Sequence, residues 1–132
     1  MSPTLILVAI LLSLVALIYV RRLFLSSRLR HYDARELAQK LHARPPVLLL
    51  DVRTLGEHRS GHLDGAVHIP VQELRSRIRE LEKHRDREIV VYCASGARSL
   101  TATYLLQNHG FKAVNLRGGI VAWNTQKRKS RE

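Results

Sequence analysis

The apolar positions of this chain are concentrated in one uninterrupted stretch at the N-terminus. Residues 3–20 carry no charged side chain and are mostly aliphatic. A helix of that length rises about 27 Å, close to the ~30 Å hydrocarbon core of a bilayer. Tyr19 and the pair Arg21 and Arg22 stand where an interfacial ring and snorkelling basic side chains belong. The pattern predicts one transmembrane anchor over residues 1–22.

A cleaved signal peptide is the main alternative for this stretch. A signal peptide has a basic residue ahead of a shorter apolar core and a small-x-small cleavage motif. Here no Lys or Arg precedes the apolar residues, and Arg21-Arg22-Leu23-Phe24 follows them. We therefore expect an uncleaved anchor. Because positive charge flanks only its C-terminal end, the positive-inside rule predicts a single-pass protein whose domain is cytoplasmic.

After a short basic linker at residues 23–30, strand and helix patterns alternate. Asp33 and Glu36 predict a capping box at the start of a helix. Continuous apolar runs predict strands at residues 47–50, 67–69, 89–92 and 113–116. Helical spacing predicts a surface helix over 71–81, a helix over 100–108 that ends at Gly110, and a short last helix with Trp123. The alternation predicts an α/β domain over residues 31–126, a parallel sheet with helices on both faces, before a basic tail at 127–132.

Cys93 is the only cysteine, and it directly follows one of these predicted strands. It opens the loop Cys93-Ala94-Ser95-Gly96-Ala97-Arg98-Ser99, which leads into a helix. Ligands of parallel sheets bind beyond the carboxyl ends of the strands, and N–H groups at a helix start stabilise anions. The small residues let the backbone curl around the sulfur, and Arg98 and Ser99 can add donors. We therefore expect a reachable Cys93 thiolate that acts as a nucleophile without metal or cofactor, rather than an inert buried thiol.

The formal net charge of +11 lies mostly outside the predicted domain. Residues 21–30 hold four arginines and no acidic residue, and residues 127–132 hold four basic residues and one acidic residue. No basic stripe is interleaved with aromatic residues, as a nucleic-acid surface would require. We expect no nucleic-acid partner, and a lone cysteine excludes an internal disulfide.

Two charged residues follow a predicted strand at the same sheet edge as Cys93. Asp51 and Arg53 fit either a structural ion pair that braces the loops or a direct contact with substrate. His58 and His62 are four residues apart, but a zinc site there lacks a third ligand and the HExxH pattern. We therefore predict a supporting role for Asp51 and Arg53, and no metal.

Three separate motifs resemble those of rhodanese-like domains. Residues 50–70 are similar to the first signature of that family, with an Asp-x-Arg, a Glu, a Gly-His-Leu-x-Gly-Ala and a final hydrophobic-Pro pair. The loop Cys93–Ser99 is similar to its active-site loop, and Gly118-Gly119-x-x-x-Trp123 to its closing motif. The resemblance covers residues 31–126. The apolar segment ahead of it resembles that of single-domain members anchored in the bacterial inner membrane, which implies the same location here.

The resemblance implies a sulfurtransferase. The Cys93 thiolate would attack the outer sulfur of thiosulfate or another sulfane donor, become a persulfide, and pass that sulfur to a thiol or cyanide. The donor and the acceptor, each a small molecule or a protein, are then the partners besides the membrane. Glu57 and His62 would be scaffold residues, and His58 departs from the family, which more often has an aromatic residue there.

Two alternatives to a sulfurtransferase are a phosphatase or arsenate reductase and a module without substantial turnover. Related phosphatases and arsenate reductases place five residues between Cys and Arg, whereas four separate Cys93 from Arg98, so the shorter loop favours sulfur over a tetrahedral oxyanion. The second alternative is a rhodanese fold that serves as a docking or sulfur-relay module at the membrane, with little turnover of small donors.

Overall fold

A long helix, α1 (Pro3–Arg28), precedes the domain in the computed structural model. The structure describes residues 2–44 and 46–132, apart from the side chains of residues 22 and 25–28. The stretch Pro3–Arg21 is long and apolar enough to cross a membrane, and none of it is buried. Such an N-terminal helix fits an anchor or a signal sequence. Most of the predicted linker is helical, because α1 continues to Arg28.

The domain is built on a five-stranded sheet. Its strands are β1 (His31–Tyr32), β2 (Leu48–Asp51), β3 (Val67–His68), β4 (Glu88–Tyr92) and β5 (Lys112–Leu116), in the order β1-β5-β4-β2-β3. Every neighbouring pair is parallel. The predicted parallel α/β architecture is confirmed. All strands therefore begin at one edge, which we call the amino edge, and end at the opposite, carboxyl edge.

Helices connect the strands. They are α2 (Ala34–Leu41), α3 (Leu55–Ser60), α4 (Val71–Arg77), which continues as a 3₁₀ helix (Ile78–His84), α5 (Ala97–Asn108) and α6 (Gly119–Lys129). The predicted capping box is present, since Asp33 Oδ1 accepts from the N–H of Glu36 and the Glu36 carboxylate accepts from the N–H of Asp33, both at 2.8 Å. The last helix extends into the predicted basic tail.

The sheet is buried on both faces. Along β4, Ile89 and Val91 belong to one apolar cluster and Val90 and Tyr92 to the other, as the alternation of a strand requires. Leu74 of α4 and Leu106 of α5 pack in the first cluster, while Leu37 of α2 and Trp123 of α6 pack in the second. Two covered faces explain why the central strands are continuously apolar. Cys93, which directly follows β4 at the carboxyl edge, belongs to the first cluster.

A tight turn after β5 supports the loop that begins at Cys93. Gly118 and Gly119 have φ of +75° and +59°, and a Cβ on Gly119 would overlap the carbonyl oxygens of Cys93 and Ala94. The N–H of Ile120 donates to the Cys93 oxygen at 2.9 Å. Only glycine allows this approach of two backbones. The closing Gly-Gly motif is therefore a packing requirement of the cysteine loop.

We predict that Gly119→Ala destabilises the domain by roughly 2–4 kcal/mol, because it adds both left-handed strain and a backbone clash. Gly56→Ala is the matched control, since its Cβ would meet nothing within 4 Å and it lies in α3, where alanine gains up to ~1 kcal/mol. Chemical unfolding of the detergent-solubilised full chain, followed by the fluorescence of Trp123, measures the free energy of unfolding of each variant. Equal stability of the two variants would contradict the close approach.

Candidate active site

The sulfur of Cys93 lies inside a turn of main chain at the carboxyl end of β4. The loop reverses at Gly96, whose φ of +103° is left-handed, and α5 begins at Ala97. The N–H of Gly96 donates to Cys93 Sγ at 3.1 Å, and Ser99 Oγ lies 3.4 Å from the same sulfur. The predicted cradle of amides around the thiol is thus present.

These donors change the acidity of the thiol. Burial raises the pKa of Cys93, but the Ser99 hydroxyl and the N–H groups of Ser99, Gly96 and Ser95 lower it, and the pKa falls below its ordinary value. A group with several hydrogen-bond donors and no nearby acid is held toward its anionic form. The geometry favours a thiolate at Cys93.

The sulfur is enclosed, contrary to the expectation of a reachable thiol. Cys93 is only 1% exposed, and Gly96 and Ser99 beside it are also buried. Ser95 and Ala97, by contrast, are exposed at the tip of the loop. The small residues bring the backbone so close to the sulfur that they cover it. The sulfur therefore has almost no contact with solvent in this structure.

A buried chain of polar groups leads from the sulfur toward the sheet edge. Ser99 Oγ donates to Asn115 Oδ1 at 2.6 Å, and Asn115 Nδ2 lies 3.2 Å from His31 Nδ1. His31 and Asn115 line a cavity of about 330 Å³ together with loop residues Ser95, Gly96 and Ala97. Neither His31 nor Asn115 was predicted to belong to the site. They are 84 positions apart in the chain, and only the pairing of β1 with β5 brings them together.

Arg98 is held by a carboxylate outside the loop. Its guanidinium donates to both oxygens of Glu57 at 2.7 and 2.9 Å, and this contact lowers the pKa of Glu57 to about 2. Glu57 also accepts from the N–H of Thr54 at 3.2 Å as part of the α3 capping box. Arg98, which was predicted to donate to substrate, is engaged in an ion pair that ties the cysteine loop to α3. These contacts fit the predicted scaffold role of Glu57.

Asp51 and Arg53 form a buried ion pair at the carboxyl end of β2. Arg53 Nε and Nη2 donate to the two Asp51 oxygens at 3.0 and 2.7 Å, and Nη2 also donates to the Gly61 carbonyl. Tyr92 Oη donates to the same carboxylate at 3.1 Å. Burial raises the pKa of Asp51, but Arg53 and His58 outweigh it and the pKa falls. These contacts fit the structural alternative, a pair that braces the loops.

Three histidine rings stack next to this ion pair. The ring centroid of His58 lies 3.9 Å from that of His62 and 4.4 Å from that of His68. His58 Nδ1 bonds to Asp51 Oδ2 at 2.9 Å, while His62 and His68 bond to carbonyl oxygens. His58 thus packs as an aromatic ring would. Parallel rings do not converge on an ion, and no group of metal ligands occurs among residues 2–44 and 46–132.

We predict that Ser99→Ala raises the pKa of Cys93, because the hydroxyl proton that Asn115 Oδ1 accepts in this structure can turn to the sulfur when Cys93 ionises, and the variant lacks that proton. Ser95→Ala is the matched control, since it keeps the N–H donor and removes only an exposed hydroxyl. The ¹³Cβ shift of Cys93 as a function of pH reports the titration without requiring access to the buried sulfur. Indistinguishable titrations of the two variants would show that the side chain of Ser99 does not act on the thiol.

Known proteins resemble this chain in sequence. The model of the rhodanese-like domain matches residues 33–126. A sulfurtransferase from Allochromatium vinosum is 42% identical over 92 residues, which are 69% of this chain and 84% of that protein. The putative sulfurtransferase YtwF from Bacillus subtilis is 35% identical over 72% of this chain and 90% of its own length.

Solved structures share the fold as well. The crystal structure of a rhodanese-related protein from Thermoplasma volcanium superposes with a TM-score of 0.67 and 34% identity, over 74% of this chain and 92% of that one. The family model covers most of the chain, and its span includes the cysteine loop, the Asp51–Arg53 pair and the Gly-Gly turn. The chain belongs to the family of rhodanese-like domain proteins.

Proposed function

We propose that this protein is a membrane-anchored sulfurtransferase that carries sulfane sulfur on Cys93. The observation that carries the proposal is the N–H of Gly96 directed at Cys93 Sγ, together with the lowered pKa of that thiol. A thiolate is the form that attacks sulfur, and no separate base is then needed. The sulfurtransferases among its relatives support the same reaction class.

The proposed reaction has two displacements at sulfur. In the first, the Cys93 thiolate attacks the outer sulfur of thiosulfate, a new S–S bond forms, and sulfite leaves with the electron pair of the broken bond. In the second, a thiolate or cyanide attacks the outer sulfur of the persulfide and releases the Cys93 thiolate. A persulfide donor would react in the same way and release a thiolate in place of sulfite.

The loop Ala94–Ser99 would stabilise the charge that these steps move. The N–H groups of Ser95, Gly96 and Ser99 already favour the anion on Sγ, and the same groups would face a persulfide anion one bond further out. Arg98 lies near this loop with its charge paired to Glu57, and its pKa is raised first by Glu57 and also by Cys93. Asp51 and Arg53 would act only by holding the loops in place.

A docking or sulfur-relay module is the second candidate. The observation that favours it is the 1% exposure of Cys93, because a closed loop slows reaction with any small donor that does not open it. A protein partner that contacts the exposed Ser95 and Ala97 could supply the energy for opening. In that case the persulfide forms, but its acceptor is a protein.

The helix α1 supports the membrane part of the proposal. Its large apolar side chains from Leu5 to Val20 are exposed, and exposure on this scale is unfavourable in water. Burial in lipid removes that cost, and the arginines that follow would place the domain in the cytoplasm.

We predict that incubation of the full chain with thiosulfate adds one sulfur atom to Cys93, observed by intact-mass spectrometry. Cys93→Ser should gain no sulfur and lose thiosulfate:cyanide activity, because no other thiol is present. Ser95→Ala is the matched control and should retain both. Full activity of Cys93→Ser would end the proposal, whereas a persulfide without turnover would favour the relay.

We predict that the chain purified from membranes retains Met1 to Glu132 and resists extraction by alkaline carbonate. Intact-mass measurement distinguishes this result from a cleaved signal sequence, which would give a shorter and soluble protein. The matched control is a variant with Leu11→Arg and Leu14→Arg, which interrupts the apolar stretch and should be released by carbonate.

A further inference from the structure

A continuous chain of polar groups runs from the sulfur to the cavity beside the cysteine loop. Cys93 Sγ lies 3.4 Å from Ser99 Oγ, which lies 2.6 Å from Asn115 Oδ1. The other end of that amide, Nδ2, lies 3.2 Å from His31 Nδ1. Cys93, Ser99 and Asn115 are at most 2% exposed, whereas His31 is half-buried and lines the cavity. The histidine is therefore the end of the chain that exchanges protons readily with solvent.

The register of β1 against β5 produces this arrangement. His31 is paired with Asn115 in the parallel ladder, and side chains at paired positions of neighbouring strands point to the same face of a sheet. Ser99 lies in the first turn of α5, which packs against β5. The imidazole, the amide and the hydroxyl are thus held by three different elements, and none of them depends on the tip of the cysteine loop.

The chemistry of each group fixes the direction of these hydrogen bonds. An amide nitrogen only donates, so Asn115 Nδ2 donates to His31 Nδ1, which must then carry no proton. Ser99 Oγ donates its one proton to Asn115 Oδ1. The Ser99 oxygen can then only accept from the sulfur. Every donor in this arrangement points from the sulfur toward His31, which fits a protonated Cys93 thiol.

Ionisation of Cys93 makes this direction unfavourable. The thiolate has no proton to give and is stabilised by a donor, and the nearest hydroxyl is that of Ser99. When that hydroxyl turns to the sulfur, Asn115 Oδ1 loses its donor, and a buried polar atom without a hydrogen bond is unfavourable. Rotation of the amide by half a turn restores both bonds, because its oxygen and nitrogen ends are nearly equal in size.

We propose that Asn115 and His31 are positioning residues for the Cys93 thiolate, and that this hydrogen-bond chain reverses its direction when the thiol ionises. In the reversed chain His31 Nδ1 donates to Asn115 Oδ1. Asn115 Nδ2 then donates to Ser99 Oγ, whose hydroxyl donates to the sulfur. No proton passes through the amide, because the thiol releases its proton to water and Nδ1 takes one from water. The inference rests on the proposed sulfur transfer, for which the thiolate is the reactive form.

The charged groups around His31 decide how many protons its ring holds. Arg117 is exposed and lines the same cavity, so it opposes a positive charge on the ring, whereas the thiolate favours one. On β1 the neighbours Arg30 and Tyr32 both contact the Glu88 carboxylate of β4, at 3.3 and 2.6 Å. α5 contributes only apolar side chains to the cavity. Nδ1 carries a proton in the reversed chain whether the ring holds one proton or two.

A fixed amide is the alternative to this reversal. In that case Asn115 only braces β1 against α5, and the loop N–H groups stabilise the thiolate without the Ser99 hydroxyl. His31 would then keep its proton on Nε2 at high pH, whatever the state of the sulfur. The position of one proton on a neutral ring therefore distinguishes the two roles of the amide.

Nitrogen NMR of His31 measures that position. The full chain, labelled with ¹⁵N and ¹³C, is solubilised in detergent, and the pH is raised until the ¹³Cβ shift of Cys93 shows the thiolate. In the wild-type chain we expect the proton on Nδ1 of His31. In Cys93→Ser, whose hydroxyl does not ionise, we expect it on Nε2 at the same pH. His109 is an internal reference, because its Nδ1 lies 2.8 Å from the Leu105 carbonyl oxygen and holds a proton in both proteins.

Two serine variants form a matched pair for this measurement. Ser99→Ala interrupts the chain between the sulfur and the amide, so we expect the proton of His31 to stay on Nε2 after Cys93 ionises. Ser95→Ala removes an exposed hydroxyl from the same loop and should keep the move of the proton to Nδ1. An equal proton position in these two variants would contradict a connection through Ser99.

The outcomes separate this inference from sulfur transfer itself. A proton on the same nitrogen of His31 in the wild-type thiolate and in Cys93→Ser would overturn the reversal, and sulfur gained from thiosulfate would leave the proposed function intact. A move of the proton to Nδ1 in a chain that gains no sulfur would support the reversal and end the proposed function. A thiol that does not ionise in the folded protein would overturn both.

Discussion

The structure of the site depends on one close approach between two backbones. The turn at Gly118 and Gly119 lies against the carbonyl groups of Cys93 and Ala94, so those carbonyls point away from the sulfur into the start of α6. The loop can then direct its N–H groups inward. A side chain at Gly119 would push the two segments apart and weaken this arrangement, because its Cβ would overlap the carbonyl oxygens of Cys93 and Ala94.

The same loop both activates and conceals the thiol. Donors within hydrogen-bond distance lower the pKa of Cys93 although burial raises it, and this requires a backbone wrapped so closely that the sulfur is covered. The ion pair of Arg98 with Glu57 fixes the loop to α3 from the outside. Hydrogen bonds from Arg53 and Tyr92 to Asp51 connect the carboxyl ends of β2 and β4. The contacts that lower the pKa of Cys93 thus also enclose its sulfur, and the proposed sulfur transfer requires that this loop open.

Sequence patterns predicted the parts that depend on local signals. Apolar runs located β2, β4 and β5, and the Asp33 and Glu36 pair located the start of α2. The strand β1 has only two residues and depends on pairing with Asn115 of β5, so it leaves no periodic pattern. The helix α3 has no buried residue and hence no apolar stripe. The Arg98–Glu57 contact joins residues 41 positions apart, and the enclosure of Cys93 depends on packing, so neither was visible in the chain.

The pKa of Cys93 in the unmodified protein tests this account most directly. The difference in ultraviolet thiolate absorbance between the wild-type chain and Cys93→Ser, followed across pH, measures it. The account predicts a midpoint pKa below that of an ordinary cysteine thiol, because the loop amides and Ser99 outweigh burial. A midpoint at or above that value would mean that burial dominates, and the cradle would then be a packing feature without a role in sulfur transfer.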